Sequence, residues 1–102
     1  MSTGKFSRPL PDPDLERIAS HFKLLGEPMR LKILQAICRE PRTVGEIVSA
    51  VGATQANVSR HLGLLATAGI VTRQKNGQCV YYGMRDPLTV KLCELVHSHR
   101  CA

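Results

Sequence analysis

Apolar residues recur along the chain at intervals of three and four, and this period changes once, after Gly69. Leu15, Ile18, Ala19, Phe22 and Leu25 share one face of a helix expected to open at Asp12-Pro13. Asp12 can cap free N–H groups there, Pro13 suits the first helical position, and Gly26 ends the helix. A second helix is expected from Pro28 to about Arg39, with Leu31, Leu34, Ile37 and Cys38 on one face, Ile33 beside it and Pro41 as its stop. Thr43-Val-Gly-Glu46 reads as a capping box opening a short helix that carries Ile47, Val48 and Val51 and ends at Gly52. Thr54 caps a fourth helix, 55–68, which stops at Gly69. Two β-like runs then flank Asn76-Gly77, and a type I′ turn at that pair predicts a hairpin. In that register Lys75 faces Gln78, Gln74 faces Cys79 and Arg73 faces Val80. Asp86-Pro87 opens a last helix running from about Leu88 to His99. Residues 1–11 lack periodicity and read as a flexible arm, although Lys5 and Arg8 could touch a polyanion. Residues 12–102 read as a single domain.

The predicted order is four helices, a hairpin and a helix. That is a mostly α fold with a small β-hairpin (α+β), in which a short helix, a turn and a longer helix run straight into a two-stranded wing. It is the layout of a winged helix-turn-helix. Fourteen Lys and Arg against eight Asp and Glu give a net charge of +6, which attracts polyanions. Two Phe, two Tyr and no Trp argue against a surface that stacks single-stranded bases. Double-stranded DNA is therefore the expected partner. No apolar run approaches the roughly 20 residues of a membrane helix, and MSTGKFSRPL has no signal-like apolar stretch. The expectation is a cytoplasmic protein with no membrane partner. With no CxxC, nucleophile elbow or phosphate loop, and no acid/base pair that stands out, an enzyme is not expected. A chain of 102 residues buries a modest core, so a second copy is an expected source of stability.

The fourth helix carries the candidate DNA contacts. At 100° per residue, Val58, Leu62, Leu65 and Ala66 form its buried stripe. Ala56, Ser59, Arg60, Gly63 and Thr67 lie opposite, and Gln55 stands at the free N-terminal end. This small, polar, singly basic face suits a major groove. Gln55 can pair an adenine edge, and Arg60 a guanine edge or a phosphate. Thr54 and the helix N-terminus can meet a phosphate, while His61 lies nearer the core and takes a packing or phosphate role. The wing offers Arg73, Lys75, Asn76 and Gln78 to the backbone or the minor groove. An ordinary amphipathic surface helix would use the same residue types. The context between a capped short helix and a hairpin favours the DNA reading.

Several segments together resemble the ArsR/SmtB bacterial repressors. They are Glu27-Pro-Met-Arg-Leu-Lys-Ile-Leu34, Thr54-Gln-Ala-Asn-Val-Ser-Arg-His-Leu62, Leu65, Ala68-Gly69, and Gly77 through Tyr81-Tyr82. The similarity covers about residues 13–100. The resemblance implies a homodimer built on the first and last helices. It also implies binding to an imperfect palindrome in operator DNA and release when an inducer meets a sensor site. By position, the family's base-contacting residues fall on Gln55, Ala56, Ser59 and Arg60.

The family places its sensors in several locations. Members with a three-cysteine arsenic site would need cysteines near Thr43, Gly45 and Val48, and this chain has none there. Members that bind zinc across the last helix imply four positions. Asp86 and His99 fit two of them, but Leu88 and Ala102 fill the others. The last helix instead offers Cys93, His97 and Cys101 at i, i+4 and i+8, on the side opposite Leu88, Leu92, Leu95 and Val96. Thiolate and imidazole suit As(III), Zn(II) or another soft metal ion, and accessible thiols also suit oxidation by oxidants or reactive sulfur species. Two incidental cysteines and a surface histidine are the plainer alternative. Cys38, on the expected core face of the second helix, reads as a buried inert thiol. The family also includes members that join a second-helix cysteine to a last-helix cysteine, which leaves a Cys38 link to the last helix open. In that alternative the regulator has no metal site and is controlled by such a disulfide or by a protein partner. Cys79 reads as a strand filler in the wing.

Overall fold

The computed structural model describes residues 8–99. Eight elements follow in order: α1 (Asp12–Leu25), α2 (Pro28–Ile37), β1 (Arg42–Thr43), α3 (Val44–Val51), α4 (Gln55–Thr67), β2 (Val71–Asn76), β3 (Cys79–Met84) and α5 (Pro87–Ser98). All five expected helices and both hairpin strands are present. The two-residue strand β1 was not expected. It pairs antiparallel with β3, matching Arg42 to Tyr82 and Thr43 to Tyr81, and makes a three-stranded sheet in the order β1-β3-β2. Two residues are too few to show a period of two, which is why the pattern of the sequence missed it.

Local chemistry sets most boundaries as expected. Thr43 Oγ1 accepts from the Glu46 amide at 3.2 Å, and Glu46 Oε1 accepts from the Thr43 amide at 2.9 Å, completing the capping box. Gly52 ends α3 with φ +72°, a left-handed turn that a side chain would strain. Thr54 caps α4 through the Asn57 amide at 3.1 Å, and Asp86 caps α5 through the Thr89 amide at 3.1 Å. At α1 the cap position is Pro11, one residue earlier than expected. Asp12 lies inside the first turn with Asp14, where both carboxylates favour the positive end of the helix dipole. Helix α2 stops at Ile37, leaving Cys38 as its C-cap.

The wing corrects the expected register. Asn76 pairs with Cys79, Lys75 with Val80, Gln74 with Tyr81 and Arg73 with Tyr82, so the loop is Gly77-Gln78. Only glycines have positive φ among the described residues, and Gly77 has φ +68°. A type I′ turn would force Asn76 into that region as well. A loop with positive φ at its first position alone avoids the cost by sliding the turn one residue.

The core gathers Ile33, Leu34 and Ile37 from α2, Ile47 from α3, Val58, Leu62 and Leu65 from α4, and Ile70 with Val71 at the start of the wing. Each is at most 2% exposed. The outer helices behave differently. On α1 only Leu25 is buried, while Leu15, Ile18 and Phe22 stand open. On α5 Thr89 is buried and Leu92 packs on the core, while Leu88, Leu95 and Val96 are exposed. The two outer helices therefore keep their most apolar residues uncovered in the single chain.

The capping box is the local feature most open to test. Thr43→Ala removes the acceptor for the Glu46 amide and should cost about 1 kcal/mol of stability. Thermal unfolding of the two proteins side by side measures the difference; equal midpoints would show that the box contributes nothing.

Candidate nucleic-acid interface

Burial divides α4 into two sides. Val58, His61, Leu62 and Leu65 face the core, which matches the expected stripe with His61 added and Ala66 only half-buried. Gln55, Ala56, Ser59, Arg60, Gly63 and Thr67 are exposed, and so is Thr54 just before the helix. The capped α3 and the left-handed Gly52 aim the N-terminal end of α4 outward. Thr54 Oγ1 is engaged by the Asn57 amide, so its side chain serves the helix. Arg60 Nη2 donates to Asn57 Oδ1 at 2.7 Å, which holds the guanidinium along the exposed face, one turn from Gln55.

The wing tip is exposed from Arg73 through Cys79, so Lys75, Asn76 and Gln78 all reach solvent. Arg73 Nε donates to the Tyr82 hydroxyl at 3.3 Å across the strand pair. Helix face and wing thus offer one basic side chain on α4 and two on β2, with hydrogen-bonding residues between them. Such a surface can neutralise phosphates and read base edges at once.

His61 leaves this surface. It is 3% exposed, and its Nδ1 accepts from Arg30 Nε at 3.2 Å. Burial lowers its pKa below the usual imidazole value, and the nearby charges of Arg60 and Arg30 lower it further, against an opposing pull from Glu27. The side chain is turned inward, away from the exposed face of α4. Sequence reasoning missed Arg30, although it lies in the Glu27-Pro-Met-Arg motif, because pattern alone does not reveal which helix a basic side chain crosses to.

The cysteines also differ from expectation. Cys38 is exposed, because α2 ends before it and turns it off the core face. Cys79 is exposed at the start of β3, beside the hairpin loop. Cys93 is half-buried, on the side of α5 expected to be open, while Leu88, Leu95 and Val96 of the opposite stripe are exposed and only Leu92 packs on the core. The reason is that α5 meets the core through Thr89 and Leu92, which turns Cys93 partly inward and leaves His97 exposed. Burial raises the Cys93 pKa, and Cys38 and Glu94 are near enough to raise it further. Cys101 lies outside the described residues. Among the described residues no three His, Cys, Asp or Glu side chains converge to hold a metal ion.

A second polar cluster ties α1 to α5. The Thr89 hydroxyl donates to Asp86 Oδ2 at 2.6 Å and lies 3.1 Å from His21 Nε2, which is itself 3.6 Å from Asp86 Oδ2. The Thr89 hydroxyl bond lowers the Asp86 pKa most, with further help from the Thr89 amide and from His21.

Helices α3 and α4, followed by a wing within a three-stranded sheet, define a winged helix-turn-helix fold. The pattern of the "Bacterial regulatory protein, arsR family" matches residues 27–73. A probable mercury resistance operon repressor of Streptomyces lividans is 39% identical over 83 residues, covering 81% of this chain and 64% of that protein. The cadmium resistance transcriptional regulatory protein CadC of Listeria innocua is 34% identical over 83 residues, covering 80% of this chain and 70% of that protein. The chain belongs to the arsR family of bacterial regulatory proteins. Among solved structures, the homodimeric winged helix-turn-helix DNA-binding domain of a possible ArsR-family regulator from Mycobacterium bovis superposes with TM-score 0.76 at 26% identity, covering 90% of this chain and 85% of that one. These similar proteins are transcriptional regulators rather than enzymes. No helix of the described residues is long and apolar enough to cross a membrane.

The Asp86 cap carries a pH dependence with a fixed sign. Its folded pKa is depressed, so its contribution is present above the unfolded value of 3.8 and is lost as pH falls through the folded value. Asp86→Ala should cost about 1 kcal/mol at neutral pH. That gap should close as urea unfolding is repeated toward lower pH. A gap that stays constant down to acid would show that the carboxylate's charge plays no part.

Proposed function

We propose that the chain is a dimeric transcriptional repressor that binds an imperfect palindrome in operator DNA and lets go when an inducer engages its cysteines. Helix α4 enters the major groove. Gln55, Ala56, Ser59 and Arg60 face the bases, the helix N-terminus at Thr54 meets a phosphate, and Arg73, Lys75, Asn76 and Gln78 of the wing hold the flanking backbone or minor groove. The observation that carries this reading is the two-sided burial of α4: Gln55, Ala56, Ser59 and Arg60 are exposed, while Val58, Leu62 and Leu65 opposite them are buried. The open apolar residues on α1 and α5 support pairing of two copies through the first and last helices. Such a regulator works in the cytoplasm, where its operator lies.

For the inducer, the half-buried Cys93 with Cys38 nearby favours chemistry at these two thiols. An oxidant or reactive sulfur species would take two electrons and two protons from the pair as a disulfide forms, bridging the end of α2 to α5. The relatives named for mercury and cadmium resistance keep a soft metal or As(III) as the second reading, with further donors then needed from a partner subunit.

Two measurements test this. Arg60→Ala should weaken binding to duplexes from the protein's own upstream region by about 1–3 kcal/mol in fluorescence anisotropy. Unchanged affinity would take Arg60 off the reading face. Cys93→Ser and Cys38→Ser should each bind like the parent but no longer release DNA on mild oxidation. Release in either variant would refute the thiol pair, and release only by As(III), Zn(II) or Cd(II) would favour the metal reading.

A further inference from the structure

Arg30 touches three helices. It belongs to α2, its Nη1 donates to the Leu24 carbonyl in the last turn of α1 at 3.0 Å, and its Nε donates to His61 Nδ1 on α4 at 3.2 Å. The Leu24 carbonyl is one of the four at the end of α1 that lack a partner within the helix, so the guanidinium is anchored on backbone at that end. At the other end it meets a buried polar side chain on the helix that displays Gln55, Ser59 and Arg60. The apolar contacts of Val58, Leu62 and Leu65 are non-directional and tolerate small rotations of α4. A hydrogen bond to a ring nitrogen does not, because it weakens steeply as the angle opens.

We infer that Arg30 and His61 are positioning residues for DNA binding, a polar strut that fixes the rotation of α4 against α1 and α2 and so the angle at which its exposed face meets the groove. This rests on the DNA-binding reading given above. The strut requires one protonation state. Nδ1 accepts, so the imidazole is neutral with its proton on Nε2. The charged groups facing it are Arg60 on α4, Arg30 on α2 and Glu27 at the N-cap of α2. Burial and the two arginines outweigh Glu27 and keep the ring neutral to lower pH than a free imidazole. The strut is therefore closed at neutral pH. It opens as pH falls below 6.5 and through the folded value, when the proton gained on Nδ1 expels Arg30.

The full-length protein and three variants, His61→Leu, His61→Asn and Arg30→Met, are titrated with labelled duplexes from the upstream region and with scrambled duplexes. Far-UV circular dichroism is recorded in parallel. His61→Leu keeps the bulk without the acceptor, and Arg30→Met keeps the stem without the donor. Both should bind the operator at least about tenfold more weakly with unchanged helix content. In His61→Asn the amide oxygen stands where Nδ1 stood and does not titrate. It should recover most of the affinity and keep it as pH falls through the folded value of His61, where the parent weakens. A merely space-filling role predicts the reverse order, with Leu tolerated and Asn damaging. Normal binding by His61→Leu, or an Asn variant as weak as the Leu variant, overturns the inference. Should the variants unfold, the parent alone decides: an imidazole nitrogen NMR spectrum at neutral pH that puts the His61 proton on Nδ1 rather than Nε2 overturns it. If the parent itself does not distinguish operator from scrambled duplex, the DNA-binding reading fails and this inference with it. The other failures leave that reading intact.

Discussion

The constraint on which the whole surface depends is the contact between α2 and α4. Ile33, Leu34 and Ile37 meet Val58, Leu62 and Leu65 with no more than 1% of any of them exposed. Burying a side chain of this size stabilises by roughly 1.5–3 kcal/mol, and no polar contact in the molecule matches that sum. The same burial decides which residues remain for DNA. A helix has one circumference, and once Val58, Leu62 and Leu65 point inward, Ser59, Gly63 and Ala56 must point out. Affinity for the core and display to a groove are two sides of one rotation.

The helices were legible because their signals are local. Thr43 with Glu46, Gly52, Thr54 and Asp86 each mark a boundary within a few residues of sequence, and the α4 stripe follows from spacing alone. What escaped was everything set by distant partners. Strand β1 exists because β3 lies beside it, and the hairpin slid one residue because Asn76 avoids positive φ. Arg30 reaches His61 across thirty-one positions, and no periodicity announces that.

The candidate sensor shows the same division more sharply. Spacing put Cys93 and His97 on one stripe of α5 and the leucines on the other, but burial cuts across both: Leu92 and Cys93 are half-buried, while Leu88, Leu95 and His97 are exposed. The rotation of α5 is set by Thr89 and Leu92, and Thr89 is held by His21 and Asp86. Apolar spacing alone does not give the inward face when a buried hydroxyl sets the rotation. Cys38 was misjudged for a different reason: α2 ended one residue before it, and the last residue of a helical pattern is the one whose direction the pattern fixes least.

Strand β1 has a consequence for how this architecture can be cut. It comes before the helix-turn-helix in the chain, yet it covers one side of β3, and Arg42 Nε also donates to the Ala36 carbonyl at the end of α2. A minimal piece running from α3 to the end of the wing would look complete on paper. It would nevertheless expose the bare flank of β3, with its N–H and C=O groups free to recruit a stranger's strand. Two residues upstream thus act as the guard rail that keeps the wing solitary, and any transplant of the reading head into another scaffold must carry them along.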